Sequence, residues 1–386
     1  MRFFCLRNFQ RNGAGALKVG LSASKLDQFA GCRYAFFLRY GLKLEPWRQA
    51  SFDAPVFGTF AHHVLECTVR DVMEQGGFHE VPRETVLRIA AQHMDEYAKN
   101  FMSAAQQTDE RCDYLFRRNR EEVLGIVGNV ADELRVSRFT PCDEELAFSD
   151  NGKLPPVIVE TPDGQAVLSG FVDRVDTLDT PDGGYFRVID YKTGHKEFDY
   201  TDLLCGQGLQ MLLYLFTIER SKGSHEAAGR KPAGVLYVPG RVDVVSLEPG
   251  AGEAALTKKR QKDLVRQGLL LRDETVLQAM EPGDKPVFLP YEQNKKGELE
   301  GSLATREQLA LLEQFVAGSL RDLAGQIFSG AVAPNPIVRG PKVSSCMYCD
   351  YQSACHKDAC RVAARFMKKV KAEEFWQTLE RRKTDG

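Results

Sequence analysis

The chain has 386 residues, of which 43% are hydrophobic and 27% charged, and its formal net charge at pH 7 is −2. These values are typical of a soluble globular protein, and the near-neutral charge excludes a uniformly basic surface, so any nucleic-acid-binding surface must be a local patch. The longest apolar run, Leu209–Ile218, is too short to span a bilayer. Ten cysteines without a secretory signal favour free thiols or metal ligands over disulfides, so we expect a cytoplasmic protein with no membrane association.

The first part of the chain is predicted to be mainly helical. Residues 1–20 show no clear hydrophobic period, and we expect a poorly ordered leader there. A helix is predicted to follow, because Ser22 or Ser24 can cap it and apolar residues recur behind them at helical spacing. A second helix is predicted from Gly58 through Glu66. The stretch 81–138 has a helical period and few glycines, which indicates a helical insertion.

Two short strands joined by a turn are predicted in the middle of the chain, after a loop region at Pro141–Pro156. The first strand covers about Ala166–Leu178, and the second covers Tyr185–Lys192. Between them lies Thr180–Gly184, where the proline sets one φ and the glycines permit positive φ. We therefore expect a β-hairpin.

The hairpin carries charged side chains that could form a metal site. Asp190 and Lys192 are two residues apart in a strand and so point to the same face, and Asp173 on the first strand can meet them. Paired carboxylates hold Mg²⁺ through oxygen ligands and leave positions for water and a phosphate. A nearby lysine can orient that water or offset developing charge. The alternative is a salt-bridged hairpin whose Asp and Lys face solvent.

The second half of the chain is predicted to alternate between helices and strands. A strongly apolar helix is expected at about 203–220, followed by strands at Ala233–Val238 and Val242–Leu247. Residues 250–330 are predicted to form a second, mostly helical insertion. A charged helix or tail is expected at 361–386.

Basic residues concentrate at two places in the predicted insertions. They are Arg117, Arg118 and Arg120 in the first insertion, and Lys258, Lys259, Arg260, Lys262 and Arg266 in the second. Such helices could line a channel for a DNA strand. Solvated helix faces are the alternative interpretation.

Three cysteines lie close together near the C-terminal end, and a fourth lies far upstream. Cys346, Cys349 and Cys355 follow the spacing C-x2-C-x5-C, and Cys32 sits at a junction between two predicted elements. Three clustered cysteines and one remote one suit a Cys₄ iron–sulfur cluster. Zinc is the main alternative, but Cys₄ zinc sites usually contain two C-x2-C pairs. Buried thiols without a ligand are the third possibility.

Three further polar residues are candidates for a site. His62 could supply a nitrogen ligand or bind a metal-bound water, although a capped or core histidine is the alternative. Gln210 and Tyr214 are one helical turn apart and share a face, where they could bind a phosphate or the hairpin lysine, or simply form a polar helix edge. The chain contains no G-x-x-x-x-G-K-[ST] motif, so it is not by itself a P-loop motor.

Taken in order, these motifs resemble the nuclease domain of AddB-type subunits of bacterial AddAB helicase–nucleases, which are related to RecB-type nucleases of the PD-(D/E)xK superfamily. The resemblance runs from about Leu21 to the C-terminus. The matching motifs are Leu21–Leu44 with Cys32, Gly58-x3-His62, Gly170-Phe171-Val172-Asp173-Arg174, Ile189-Asp190-Tyr191-Lys192-Thr193, Gln210-x3-Tyr214, and the triplet Cys346, Cys349 and Cys355. Each motif alone is weak, but all of them in this order are highly specific.

The resemblance implies an α/β fold of the restriction-endonuclease type, with a mixed central sheet flanked by helices and large helical insertions. This nuclease domain would span residues 21–360. A 4Fe–4S cluster bound in part by the segment 346–355 would join the N- and C-terminal segments. The implied activity is that of a Mg²⁺-dependent DNA nuclease, with Mn²⁺ as a substitute, acting on single-stranded DNA ends in double-strand break repair beside an AddA-like helicase subunit.

The resemblance also implies a role for each motif residue. His62, Asp173 and Asp190 would bind the metal, and Lys192 would serve the attacking water. Gln210 and Tyr214 would support the site and the DNA. The cluster ligands would be Cys32, Cys346, Cys349 and Cys355.

Two other functions are compatible with parts of the pattern. A CRISPR-associated iron–sulfur nuclease shares the cysteine layout, but such proteins are usually shorter and lack the helical insertions. A catalytically silent nuclease-like module that grips DNA ends or a helicase partner is the non-enzymatic alternative. The intact set of Asp173, Asp190 and Lys192 favours an active enzyme.

Overall fold

A computed structural model describes residues 9–11, 17–46, 54–105, 110–194, 196–223, 225–240, 262–340, 343–357 and 363–384. The strands are β1 (Phe9–Arg11), β2 (Leu17–Leu21), β3 (Thr140–Phe148), β4 (Val157–Thr161), β5 (Gly164–Leu168), β6 (Gly170–Thr180), β7 (Gly183–Lys192), β8 (Lys231–Pro239), β9 (Gln267–Leu271), β10 (Tyr291–Gln293), β11 (Leu299–Gly301), β12 (Leu303–Ala304), β13 (Ile337–Gly340), β14 (Val343–Ser344) and β15 (Arg365–Phe366). The α-helices are α1 (Ala23–Gly31), α2 (Arg33–Phe36), α3 (Ala54–Glu74), α4 (Arg83–Ala105), α5 (Glu110–Val136), α6 (Tyr200–Leu204), α7 (Gln210–Arg220), α8 (Glu274–Met280), α9 (Arg306–Phe328), α10 (Gln352–Cys355) and α11 (Ala372–Thr384), and a π-helical turn follows α2 at Phe37–Gly41.

A six-stranded mixed sheet forms the centre of the described structure, in the order β12-β9-β8-β7-β6-β3. β7 lies between antiparallel β6 and parallel β8, and nearly all of its residues are buried. α7 packs against β7 and β8, while α3 packs against β3 and β6. The expected α/β fold with a mixed central sheet flanked by helices is therefore confirmed. In the described part of the chain, no helix is both long and apolar enough to cross a bilayer.

The predicted hairpin is present as β6 and β7, with Thr180 paired to Gly183 across a two-residue turn. Gly183 has a φ of +120°, which favours glycine. The first predicted strand is divided in the structure, because its beginning belongs to β5. β5 lies in a separate four-stranded sheet in the order β1-β2-β5-β4, and β6 begins the central sheet at Gly170.

The expectation of a poorly ordered leader is wrong for its described residues. β2 pairs in parallel with β5, with Lys18 opposite Gln165 and Leu21 opposite Leu168, and β1 pairs with β2. Val19 and Leu21 are buried, so alternate side chains add to the core while the backbone groups join a sheet. Residues 1–8 and 12–16 lie outside the described part of the chain.

The predicted insertions have different outcomes. The stretch 81–138 contains α4 and α5, which are helical as expected. The prediction of a mostly helical stretch at 250–330 is wrong for 267–304, because β9 joins the central sheet and three short strands follow α8. A short buried apolar run does not distinguish a central strand from a helix. The strand predicted at Val242–Leu247 and the basic residues 258–260 lie outside the described residues.

A network of buried ion pairs crosses the core next to the hairpin. Arg174 donates to both carboxylate oxygens of Asp176 at 2.7 and 3.0 Å, and Arg187 donates to Asp176 at 2.8 Å. Glu133 on α5 lies 2.9 Å from Arg187 and 2.8 Å from Arg266. All five side chains are at most 1% exposed. The network therefore joins the helical insertion to β6, β7 and the start of β9.

The network settles two electrostatic questions. Burial alone would raise the pKa of Glu133, but Arg266 and Arg187 lower it to about 2, so this carboxyl is ionised at neutral pH. Arg266, which belongs to a basic run considered for DNA contact, is fully buried. It is an internal ion-pair partner and offers no surface to a DNA strand.

We expect Glu133→Ala to lower the free energy of unfolding by about 3 to 5 kcal/mol, because it leaves two arginines buried without their carboxylate. Urea denaturation followed by circular dichroism measures this change. Glu313→Ala is the matched control, since it removes the partner of Arg220, whose side chain is 65% exposed. Such surface pairs contribute less than about 1 kcal/mol, so equal losses in the two variants would contradict the assignment of a buried network.

Candidate active site

His62 reaches the end of β7 from helix α3. The helix approaches closely because Gly58 has no side chain: a Cβ there would lie 3.3 Å from Oγ1 of Thr193. One turn later, His62 Nε2 lies 2.8 Å from the backbone carbonyl of Tyr191. The spacing Gly58-x3-His62 therefore places an imidazole beside the hairpin.

The hydrogen bond to Tyr191 fixes the tautomer of His62. A carbonyl oxygen only accepts, so Nε2 must carry the proton, and a neutral ring then turns the lone pair of Nδ1 outward. That lone pair faces Oδ2 of Asp173 at 3.5 Å. Two lone pairs in this arrangement attract each other only through a proton or a metal cation between them, and metal-binding histidines commonly donate their other N–H to a carbonyl in this way.

The charges around His62 agree with this arrangement. Burial lowers the pKa of His62, but the hydrogen bond and charge of Asp173, together with the charge of Asp190, raise it overall. In the absence of a metal the site therefore attracts a proton. The same negative field would attract a divalent cation.

Glu145 on β3 completes this group, although the sequence analysis had placed it in a loop. One ligand atom from each of His62, Glu145 and Asp173 lies within 4.8 Å of the other two. Glu145 has a φ of +51°, an uncommon conformation for a residue with a side chain and one that is found at functional sites. Burial and the charge of Asp173 raise its pKa to about 7, so it too lacks a compensating positive charge.

Asp190 and Lys192 lie on one face of β7, as predicted. The ammonium of Lys192 is 2.5 Å from Oδ2 of Asp190. Continuing the register of Arg174 with Ile189 by one residue places Asp173 beside Asp190. Burial and the charge of Asp173 raise the pKa of Asp190 to about 6, while Lys192 lowers it. Asp190 borders the tight group instead of belonging to it, because Lys192 holds its carboxylate.

Gln210 and Tyr214 share a face of α7 and form a hydrogen bond with each other. The hydroxyl of Tyr214 occupies space that a side chain at position 170 would need, since a Cβ on Gly170 would lie 1.8 Å from it. The ring stacks on Phe148 with centroids 4.6 Å apart. Burial and the charges of the nearby Asp190 and Asp173 raise the pKa of Tyr214 to about 12, so the phenol stays protonated and can donate.

Tyr191 connects the site to the buried network, a role that sequence reasoning missed. Its backbone N–H donates to Asp173 at 2.6 Å, and its carbonyl accepts from His62. Its buried phenol accepts a hydrogen bond from Arg174 at 2.7 Å. The only signal in the sequence was its position between Asp190 and Lys192, where a strand places its side chain on the opposite face.

In the described part of the chain, a second group of ligand atoms within 4.8 Å consists of His63, Glu66 and Cys67. Arg70 donates to Glu66 at 3.2 Å and to Cys67 at 3.1 Å. A guanidinium already supplies the positive charge of this group. Of the two adjacent histidines, His62 alone faces the hairpin carboxylates.

The four predicted cluster cysteines line one cavity of about 430 Å³, although they come from opposite ends of the chain. All four are unpaired thiols of intermediate exposure. Cys32 lies between α1 and α2, Cys346 and Cys349 lie in the turn after β14, and Cys355 ends α10. No three of these sulfurs approach within 4.8 Å of one another in this part of the structure.

The surroundings of the cavity suit sulfur ligands that share negative charge. Burial raises the pKa of Cys349 and of Cys355, and the charges of the neighbouring thiolates raise both further. The guanidinium groups of Arg33 and Arg365 lie within electrostatic reach of Cys32. The thiols would therefore ionise together only with a cation bound between them.

Comparisons with known proteins agree with this geometry. Three relatives are each named as the B subunit of an ATP-dependent helicase/deoxyribonuclease: those of Thermoanaerobacter sp., 31% identical over 94% of this chain and 32% of the relative, of Acetivibrio thermocellus, 30% identical over 93% and 32%, and of Clostridium novyi, 29% identical over 94% and 33%. The chain thus spans about a third of the length of the curated relatives it matches. A family model of the PD-(D/E)XK nuclease superfamily matches residues 20–356, and the chain belongs to that superfamily.

Proposed function

We propose that this chain is a Mg²⁺-dependent deoxyribonuclease module that trims single-stranded DNA ends during repair of double-strand breaks. The observation that carries the proposal is the lone pair of His62 Nδ1 facing Asp173 Oδ2 at 3.5 Å, with Glu145 in the same group. An imidazole and carboxylates converge there beside a lysine. This is the arrangement that a metal-dependent phosphodiesterase requires.

The chain's own residues divide into metal ligands and a proton-handling group. His62, Glu145 and Asp173 would hold the ion, with Asp190 at the border, and the predominance of carboxylate oxygens suits Mg²⁺ or Mn²⁺. The bound ion would polarise the scissile phosphate and lower the pKa of a bound water. Lys192 would orient that water and offset the charge that develops on the phosphate.

Gln210 and Tyr214 would support the site from the side of α7. The protonated phenol of Tyr214 is close enough to Asp190 and Asp173 to feel their charges. It can donate to a phosphate oxygen, and its bond with Gln210 limits the directions in which it can point. We assign this pair to positioning the carboxylates and the strand.

The substrate and partner follow from the relatives. Their names describe one subunit of a helicase/deoxyribonuclease, and we propose the same pairing of a DNA strand with an AddA-like helicase subunit for this chain. Work on chromosomal DNA with reduced thiols would place it in the cytoplasm.

We further propose that the four-cysteine cavity holds a 4Fe–4S cluster. Around a single zinc ion with bonds of about 2.3 Å, tetrahedral sulfurs would lie roughly 3.8 Å apart, whereas no three of these sulfurs lie within 4.8 Å of one another in the described structure. In a cubane each cysteine binds a different iron, so the sulfurs stand farther apart. A cluster there would join the N-terminal and C-terminal segments.

We expect Asp173→Ala and Lys192→Ala to abolish Mg²⁺-dependent cleavage of labelled single-stranded DNA, and Glu145→Gln to reduce its rate by at least about a hundredfold, because each removes a group that faces the reacting phosphate. Denaturing gels with Mg²⁺ and with EDTA measure the cleavage. Glu160→Gln, an exposed carboxylate on β4, is the control and should cleave like the wild type. Retained cleavage in Asp173→Ala would refute the assignment, and binding without cleavage in the wild type would favour a silent module.

Metal binding can be tested without any reaction. We expect Mn²⁺ or Ca²⁺ to raise the Tm of the wild-type protein, because a ligand that binds only the folded state stabilises it. In Glu145→Gln and Asp173→Asn this increase should shrink or disappear, since each variant loses an anionic ligand. An undiminished shift in both variants would place the ion elsewhere.

Anaerobically purified protein should be brown, with a broad absorbance near about 400 nm and close to four irons per chain. Cys349→Ser should lose this absorbance and also unfold at a lower urea concentration, because the cluster links distant segments. Cys142→Ser, which changes a cysteine outside the cavity, should keep both properties. A colourless protein with one zinc per chain would overturn the cluster assignment.

A further inference from the structure

A second cavity, of about 220 Å³, opens beside the candidate active site at the C-terminal ends of β7 and β8. Its walls include Lys192, Thr193 and Lys196 after β7, and Pro239 at the end of β8. Lys262 closes it from the segment before β9. The cavity therefore shares Lys192 with the catalytic group but extends away from the carboxylates.

The cavity is positively charged. Three lysines and a single acidic residue, Asp263, are among its lining residues. Lys196 is only loosely paired, since its ammonium lies 3.8 Å from Asp202, and that carboxylate is already bound by Arg339. Two ammonium groups besides Lys192 are thus available to an anion.

The surrounding contacts hold the cavity in shape. Gly240 donates its N–H to the carbonyl of Lys192 at 2.8 Å, which ties the ends of β7 and β8 together. Asp27 lies behind the cavity, accepts the N–H of Gly208 at 3.0 Å, and attracts both Lys196 and Lys192. The lysines therefore project from a braced wall at the sheet edge.

We propose that Lys196 and Lys262 form a subsite for the phosphate next to the scissile one, an inference that rests on the proposed function. A DNA strand whose scissile phosphate lies between Lys192 and the metal group carries its neighbouring phosphates to either side. On the side away from the carboxylates, one of them enters the lysine-lined cavity. A backbone phosphate is the ligand, and the bases play no part, so the subsite positions the strand without reading its sequence.

The subsite has a measurable electrostatic signature. Each phosphate contact that a lysine makes to single-stranded DNA contributes about 0.7 to the slope of log affinity against log salt concentration. Lys196→Ala and Lys262→Ala should each lower the slope by about that amount and weaken binding roughly three- to tenfold. Fluorescence anisotropy of a labelled oligothymidylate, with Ca²⁺ in place of Mg²⁺, measures both quantities.

Two kinds of variant control the experiment. Lys196→Arg keeps the charge and should keep the wild-type slope. Lys231→Ala removes a lysine at the opposite end of β8, about 26 Å away at the strand rise per residue, and should leave the slope and the affinity unchanged. In the cleavage assay, the two cavity variants should raise KM by a similar factor while kcat stays within about twofold, because Lys192 remains in place.

A neutral backbone gives an independent test. Oligonucleotides with a single methylphosphonate beside the cleaved bond should bind the wild type more weakly, but should bind Lys196→Ala no more weakly than the charged oligonucleotide does. If both alanine variants keep the wild-type slope and KM while Lys192→Ala is inactive, the subsite is wrong and the nuclease proposal stands. If the wild type itself does not cleave DNA, the nuclease proposal fails first.

Discussion

The buried ion pairs around Arg174 are the interaction on which the rest of the site depends. Isolated charges inside a protein are costly, so each of these arginines needs a carboxylate at close range. Satisfying them fixes α5 against β6 and β7, and it also orients the phenol of Tyr191. The peptide groups of Tyr191 then hold Asp173 and His62. Core electrostatics and active-site geometry are therefore one connected set of hydrogen bonds.

The opposite side of the hairpin carries the chemistry, and there the balance of charge is reversed. Carboxylates from β3, β6 and β7 face one imidazole and one ammonium, and several of them have raised pKa values. Such a surplus of negative charge is unfavourable in the protein alone and is relieved by a divalent cation. The unusual backbone of Glu145 belongs to the same balance, because strain of this kind persists where binding compensates it.

Much of this arrangement could be predicted from the sequence, because the hairpin and its D-x-K pattern depend on local turn chemistry and a period of two. The pairing of Lys192 with Asp190 follows directly from that period. Glu145 could not be found in this way, since its contribution depends on a bend in a distant strand. Arg266 was misjudged for a related reason: a basic residue in a basic run gives no local sign of a buried partner on another element. β9 was missed because a short apolar run fits a strand and a helix equally well.

The empty space at Gly170 has a consequence for reading the relatives of this chain. The phenol of Tyr214 sits where the first carbon of any other side chain would be. A homologue that retained every acidic residue but had alanine at this position would have no room for that ring. The glycine is therefore a marker of a working nuclease in its own right, and its loss would identify degenerate copies that an inventory of carboxylates alone would count as active.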